Sequence, residues 1–282
     1  MKVREVEIQG ADGAAVLSLA EAGDGGRPLV LVHGFTGAKE DFTDWLDPLA
    51  ELGWHAIAPD QRGHGASPKP ADEAAYSVEG FAHDLLGLLD AMGWSTVVAL
   101  GHSMGGMVLQ TAALRSPHRF DALILMDTSH KALRADRDVI DLAVTLVRTE
   151  GMVALLAAQE ALGGDGPLAN DIDRRLKAER PDYKAFGDGK LLASAPSMYA
   201  AMIRSITDPA MEDRLELLGA LTMPSLVVVG EHDRPFLRPS ERMAAVLPNG
   251  ELVRVAGAAH SPQFESPDAW WAAIAGFLSR LP

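Results

Sequence analysis

The sequence of 282 residues contains no cysteine. Disulfide bonds, thiol catalysis and thiolate metal sites are therefore all excluded. The sequence also lacks any apolar run close to the roughly 20 residues that a membrane-spanning helix needs. Residues 1–7 alternate charged and apolar side chains and contain no apolar core of a secretion signal. We therefore expect a cytoplasmic protein that does not enter the membrane.

Positive charge is scarce in this chain. It has 25 Lys and Arg residues against 39 Asp and Glu residues, which gives a formal net charge of -14 at pH 7. An acidic surface repels nucleic acid and anionic membranes, so neither is an expected partner. The expected partner is a small-molecule substrate, and the sequence leaves open whether two copies form a homodimer.

The order of apolar runs predicts an α/β protein. Continuous apolar runs such as residues 28–32 and 226–229 are typical of strands that are buried on both faces of a parallel sheet. Amphipathic helical patterns alternate with these runs along the chain. We predict a mostly parallel sheet that is covered by helices on both faces and linked by right-handed crossovers.

The chain divides into a core and an insertion in this prediction. Residues 1–128 and 219–282 supply the strands and helices of the core. Residues 129–218 have helical periodicity without a convincing strand, interrupted by a glycine-rich break at 163–167. We predict that this insertion forms a helical cap over the sheet, the kind of element that shapes a substrate pocket.

A short glycine-rich motif joins one predicted strand to the next helix. Residues 101–106 read Gly-His-Ser-Met-Gly-Gly, directly after the apolar run 97–100. A strand that turns into a helix through this pattern is typical of a nucleophile elbow, whose tight turn exposes the serine hydroxyl. An ordinary turn with a helix-capping serine would not need all three glycines. Ser103 is therefore the candidate nucleophile.

A serine hydroxyl is a weak nucleophile at neutral pH and needs a base that a carboxylate orients. The ligand crevice of an open parallel sheet lies at the carboxyl ends of its strands. Asp233 and His260 both follow predicted strands, as Ser103 does, so we expect all three at that edge. Their order along the chain, Ser then Asp then His, fits this type of site.

Five motifs spread over essentially the whole chain make the sequence resemble the α/β-hydrolase superfamily. The resemblance is to its serine-nucleophile branch, which includes esterases, enol-lactonases and hydrolases of meta-cleavage products. The motifs are residues 33–35 (HGF), 60–65 (DQRGHG), 101–106 (GHSMGG), 230–233 (GEHD) and 257–260 (GAAH). Together they are specific for the fold. They imply the α/β-hydrolase architecture, a mostly parallel eight-stranded sheet with helices on both faces and a helical cap insertion. They are much less specific for the substrate.

The resemblance implies a role for each matching residue. Ser103 would attack a carbonyl carbon, His260 would take and return the proton, and Asp233 would hold the imidazole. The backbone amides of Phe35 and Met104 would form the oxyanion hole. The substrate-binding side chains are expected from these two residues and from three residues of the cap, for which packing within the cap is the alternative role: Met198, Tyr199 and Met202.

Two neighbours of this triad have their own interpretations. Asp127 also follows a predicted strand, and some members of the superfamily place the triad acid there. The match of residues 230–233 to the usual acid loop favours Asp233. His102 is expected to point away from the crevice and to affect packing or polarity beside the serine.

No cofactor and no metal site are predicted. The histidines and carboxylates lack the spacing of H-E-x-x-H and similar metal-binding motifs. The glycine-rich loops also lack the patterns that bind phosphate groups.

The serine at the elbow favours hydrolysis of a carboxylic ester or lactone, because the resembling epoxide hydrolases and haloalkane dehalogenases use aspartate there. One alternative is a carbon–carbon bond hydrolase of ring-cleavage products. Those enzymes usually have a cap arginine, but they also have a tryptophan after the triad histidine, where this chain has Ser261. The other alternative is a small-molecule receptor that keeps a hydrolase triad. The candidate cap arginines are Arg174, Arg175 and Arg204.

Overall fold

The computed structural model describes residues 1–162 and 170–282, so the glycine-rich break predicted at 163–167 lies outside the described residues. The described part of the chain contains one sheet of eight strands. In chain order they are β1 (Lys2–Gly10), β2 (Gly13–Ala22), β3 (Arg27–Val32), β4 (Trp54–Pro59), β5 (Val97–His102), β6 (Phe120–Met126), β7 (Ser225–Gly230) and β8 (Gly250–Val255).

Helices connect the strands of the core and fill the insertion between β6 and β7. In chain order the described helices are α1 (Thr43–Glu51), α2 (Val78–Ala91), α3 (Met104–Arg115), α4 (Arg137–Thr149), α5 (Gly151–Ala161), α6 (Asp171–Glu179), α7 (Pro181–Leu192), α8 (Pro196–Thr207), α9 (Leu215–Leu218), α10 (Arg234–Val246), α11 (Pro262–Glu265) and α12 (Pro267–Leu278). None of these helices is long and apolar enough to cross a membrane.

The strands lie in the order β1-β2-β4-β3-β5-β6-β7-β8. β2 pairs antiparallel with both β1 and β4, and every other neighbouring pair is parallel. The prediction of a mostly parallel eight-stranded sheet with helices on both faces is confirmed. The carboxyl ends of β5, β6, β7 and β8 consequently lie side by side at one edge of the sheet, where a ligand crevice is expected.

The core consists of two clusters, one on each face of the sheet. In β3, Val30 and Val32 pack with apolar side chains of α2 and α3, whereas Leu29 and Leu31 pack with those of α1 and α12. Successive side chains of a strand point to opposite faces, and both faces of β3 are covered by helices. This explains why the central strands read as unbroken apolar runs in the sequence.

The insertion between β6 and β7 has a small apolar cluster of its own. We call the described residues between 129 and 218 the cap. Val144 and Val147 of α4 pack there with Leu155 of α5 and with Tyr199 and Ile203 of α8. The apolar pattern predicted as helical across residues 142–156 is divided between α4 and α5, because the chain turns at Gly151, whose φ is +84°.

Candidate active site

The turn from β5 into α3 places Ser103 in a conformation that residues other than glycine rarely adopt, with φ at +53°. The turn is crowded by backbone on one side and by a side chain on the other. A Cβ atom at Gly101 would lie 2.5 Å from the carbonyl oxygen of Gly105, and one at Gly106 would lie 2.5 Å from the side chain of Thr128. Glycine is therefore required at both positions, because neighbouring atoms come too close for a side chain. The strained turn presents the hydroxyl of Ser103 to the crevice.

Three side chains that are far apart in sequence form one hydrogen-bonded series. The Oγ atom of Ser103 lies 3.1 Å from Nε2 of His260, and Nδ1 of His260 lies 2.8 Å from Oδ2 of Asp233. Ser103 follows β5, Asp233 begins α10 after β7, and His260 lies in the loop after β8. This geometry allows His260 to take a proton from Ser103 while Asp233 fixes the other ring nitrogen.

The loop that carries His260 is held from three directions. Oε2 of Glu265 accepts the amide of Ala259 at 2.5 Å and the amide of Ser261 at 3.3 Å, so one carboxylate brackets His260 in the chain. The ring of Phe236 stacks on the imidazole with ring centroids 4.8 Å apart. Neither support has a recognisable signal in the sequence, because each depends on how α10 and α11 pack around the loop.

His102 is the third support and corrects a prediction. The sequence predicts that the side chain of His102 points away from the crevice. In the structure His102 lines the crevice, and its Nε2 donates to the main-chain oxygen of His260 at 2.7 Å. Burial, and then the nearby His260, lower the pKa of His102 to about 3. The neutral imidazole is therefore available as a donor at this one nitrogen.

The loop after β3 faces the elbow across the crevice. Residues 34–37 form a tight turn in which the amide of Gly37 donates to the oxygen of Gly34 at 3.1 Å and Thr36 has φ at +55°. Within the described part of the chain, the amides of Phe35 and Met104 have no hydrogen bond to a protein acceptor. Phe35 lines the same cavity as Ser103, and Met104 is the residue that follows Ser103 in the chain.

A cavity of about 550 Å³ lies between the cap and this edge of the sheet. Ser103 and His260 are at its floor, and Phe35 contacts Tyr199 of the cap with ring centroids 5.0 Å apart. Its volume is within the usual range for a small-molecule pocket. The apolar part of its wall includes Phe35, Leu133, Ile140, Leu156, Leu191, Tyr199, Ile203 and Ile206.

Three of the side chains predicted to bind substrate do not line this cavity. Met104, Met198 and Met202 are buried in the core cluster on the α2 and α3 face of the sheet. Met198 packs beside Gly63, where an added Cβ would lie 2.6 Å from it. Helical periodicity marks an apolar face of α8, but that face covers the core, whereas Tyr199 points to the cavity.

An ion pair between cap and core also lines the cavity. Lys190 of α7 pairs with the buried Asp41, and its ammonium lies 4.2 Å from the ring centroid of Phe186. Burial alone would raise the pKa of Asp41, but the charge and hydrogen bond of Lys190, together with the neighbouring His33 and His102, hold that pKa below its ordinary value. Asp41 therefore keeps its negative charge at neutral pH, and its partner Lys190 lies 149 positions away in the sequence.

The cap arginines considered for a substrate carboxylate are elsewhere. Arg204 pairs with Asp141 at 2.9 Å, and Arg174 pairs with Asp171 at 2.6 Å. Neither these two nor Arg175 is among the described residues that line the cavity, whereas Arg134 does line it. Arg134 precedes α4 and has no motif that would have singled it out.

Asp127 lies directly beside the triad. In the described residues, one group of three carboxylate and histidine side chains has one nitrogen or oxygen atom of each within 4.8 Å of the others: Asp127, Asp233 and His260. Asp233 and His260 are already hydrogen-bonded to each other.

Known proteins share both the fold and the length of this chain. Residues 27–267 match the family model described as the alpha/beta hydrolase fold. Epoxide hydrolase A of Mycobacterium tuberculosis is 39% identical over 309 residues, covering 94% of this chain and 94% of that protein. A thermophilic esterase from Thermogutta terrifontis has 28% sequence identity and a TM-score of 0.82, covering 99% of both chains. The enol-lactonase from Burkholderia xenovorans LB400 has a TM-score of 0.82 at 22% identity, covering 97% of this chain and 100% of that one.

The chain belongs to the α/β-hydrolase fold family. The resemblance stated from its motifs is confirmed, and the similarity to hydrolases supports a hydrolytic activity. The fold is shared by enzymes that cleave different bonds, so the bond that is cleaved must be argued from the site.

Proposed function

We propose that this protein is a serine hydrolase that cleaves a carboxylic ester or lactone of a small, largely apolar substrate through an acyl-enzyme on Ser103. The observation that carries the proposal is the hydrogen-bonded series of Ser103, His260 and Asp233, with distances of 3.1 Å and 2.8 Å. A serine that is bonded to a histidine, which is itself oriented by a carboxylate, is an activated nucleophile.

The chemistry follows from these contacts. Oγ of Ser103 attacks the carbonyl carbon while His260 takes the hydroxyl proton, and the amides of Phe35 and Met104 stabilise the oxyanion. When the carbon–oxygen bond of the ester breaks, His260 returns the proton to the leaving alcohol. Water then attacks the acyl-enzyme with His260 as base, which releases the acid and restores Ser103. No cofactor takes part in this scheme.

The identity of the nucleophile separates this proposal from epoxide hydrolysis, which the name of one relative suggests. If Ser103 opened an epoxide, the product would be an ether between the enzyme and the substrate. An ether has no carbonyl carbon for water to attack, so the enzyme would not be regenerated. An ester or lactone gives an acyl-enzyme that water can hydrolyse, and this favours acyl transfer at Ser103.

The cavity supports a substrate with an apolar body and a polar end. The apolar part of its wall is formed by Phe35, Tyr199 and the aliphatic residues of the cap. Its lining also includes charged side chains, among them the pair of Lys190 and Asp41. We propose that residues 129–218 act as a cap that shapes this pocket for the substrate, on the core formed by residues 1–128 and 219–282.

Steady-state hydrolysis tests the proposal. Wild type and Ser103→Ala are compared on p-nitrophenyl esters of increasing acyl length and on simple lactones. We expect turnover by the wild type, of the order of 1 to 10³ per second on a good substrate, and loss of that turnover in the variant. Turnover of an epoxide panel without turnover of any ester or lactone would contradict acyl transfer.

A further inference from the structure

Asp127 is fixed in an unusual backbone conformation beside the triad. It follows β6 directly, is completely buried and has φ at +44°. Its amide donates to the oxygen of Val228 at 2.9 Å, and its Oδ1 accepts the amide of Gly230 at 2.8 Å. Two hydrogen bonds to β7 therefore stabilise this strained conformation, and they place the carboxyl group between β6 and β7.

The second oxygen of this carboxyl group has no hydrogen bond of its own. Oδ2 of Asp127 is buried and finds no partner among the residues that the structure describes. A buried carboxylate oxygen without a donor is costly, so this atom calls for an explanation. The neighbouring charged and titratable groups are Asp233, His260 and Glu265, and no described Lys or Arg forms an ion pair with Asp127.

One carboxyl oxygen of Asp127 and one of Asp233 lie within 4.8 Å of each other. Two buried carboxyl groups this close together do not both ionise without a neighbouring cation. Asp233 has the better claim to the negative charge, because its Oδ2 accepts the Nδ1 hydrogen of His260 at 2.8 Å. The single proton of this carboxyl pair is therefore assigned to Asp127. Burial, followed by the charge of Asp233, raises the pKa of Asp127 well above its ordinary value, which agrees with this assignment.

We propose that Asp127 is a neutral carboxylic acid that presents its Oδ2 proton to the carboxylate of Asp233, and that it is thereby a positioning residue for the triad. The proton explains why Oδ2 lacks a donor, since this oxygen is itself the donor. It also holds the carboxyl group of Asp233 in the orientation that His260 needs. The role of Asp127 in turnover rests on the proposed function, whereas its protonation does not.

Infrared spectroscopy at neutral pH tests the protonation directly. The C=O stretch of a protonated carboxyl group lies at higher frequency than carboxylate bands and shifts when deuterium replaces hydrogen. We expect this acid band in wild type and in the inactive Ser103→Ala variant, and its loss in Asp127→Asn. Asp213→Asn is the matched control and should keep the band, because the pKa of Asp213 is lowered and its carboxyl is ionised.

An unchanged acid band in Asp127→Asn, or the loss of a carboxylate band instead, would overturn the proposal. Since Ser103→Ala gives the same spectrum whether or not the wild type cleaves esters, failure of the proposed function and failure of this inference are distinguishable. The infrared measurement compares the wild type with Asp127→Asn, whose side chain has nearly the same shape. The test therefore remains valid if Asp127→Ala does not fold.

Kinetics test the positioning role on the best ester of the panel. Asp127→Asn keeps a donor and should retain kcat within about threefold, whereas Asp127→Ala removes the donor and should lower kcat about 10- to 100-fold with little change in KM. Asp233→Asn should lose about 10⁴-fold in kcat, as the orienting charge is removed. Equal losses in Asp127→Asn and Asp127→Ala would show that the negative charge of Asp127, rather than its proton, is required.

Discussion

The side chain of His102 is bonded to the main chain of His260. Nε2 of His102 donates to the oxygen of His260 at 2.7 Å, and the two rings lie 5.0 Å apart. The residue that precedes the proposed nucleophile therefore holds the loop that carries the proposed base. Because the acceptor is a carbonyl oxygen, the bond also fixes the tautomer of His102, with its hydrogen on Nε2.

Loss of this bond should impair turnover more than binding. His102→Phe keeps a planar ring but leaves the oxygen of His260 without its donor, so we expect kcat to fall about tenfold with KM nearly unchanged. His102→Gln retains an N–H donor and should restore much of the loss. Steady-state kinetics of the three proteins check this, and wild-type kcat in the Phe variant would refute the positioning role.

Buried neutral histidines should make the fold sensitive to acid. Burial lowers the pKa of His33, His64 and His102 in the folded chain, so the unfolded chain binds protons more readily near pH 6.5. The stabilisation that comes from keeping these histidines neutral is fully present above about pH 6.5. Below that pH the free energy of unfolding decreases, by up to about 1.4 kcal/mol per pH unit for each histidine that titrates. Urea unfolding between about pH 7 and about pH 5 measures this slope, which should be shallower in His102→Gln. An equal slope in the variant would count against a neutral, buried His102.

The glycines of the elbow should be irreplaceable for steric reasons. A Cβ at Gly105 would overlap the backbone oxygens of Val32 and His33, which the sheet holds in place. We expect Gly105→Ala to lower the free energy of unfolding by about 3 kcal/mol or more. Gly189→Ala is the matched control in an open position of α7 and should raise it by up to about 1 kcal/mol through helix propensity. Similar unfolding curves for both variants would show that the elbow can relax.

The ion pair of Lys190 and Asp41 should hold the cap over the pocket. Lys190→Met keeps the length of the side chain but leaves the buried carboxylate of Asp41 without its cation, which is strongly destabilising in a buried pair. We expect a higher KM and faster limited proteolysis within the cap. Arg204→Met is the matched control, since Arg204 pairs with Asp141 inside the cap. Equal protease sensitivity of the two variants would argue against a pair that ties cap to core.

The strands could be predicted because their environment is uniform. β7 is buried along its whole length, so its apolar run 226–229 marks the strand to within one residue at each end. Helix α10 begins at Arg234 and accommodates Pro239 in its second turn. A proline favours a helix start in sequence, but tertiary packing decides the boundary.

The site could be predicted in part. Ser103, Asp233 and His260 each follow a strand, so the topology alone brings them together. Periodicity reveals the apolar face of α8 without revealing what covers it, so the sequence predicts either substrate binding or packing within the cap for Met198 and Met202. In the structure both side chains pack into the core cluster beside the sheet. Glu265 was missed because its contacts with the loop around His260 depend on the packing of α11, which leaves no pattern in the sequence.

Covalent labelling with an organophosphonate, followed by intact-mass measurement and peptide mapping, tests the central claim most directly. We predict a single adduct on Ser103 in the wild type and none in Ser103→Ala. Ser240→Ala should be labelled like the wild type, since Ser240 is buried away from the cavity. An active-site adduct that persists in Ser103→Ala would contradict the assignment of Ser103 as the nucleophile.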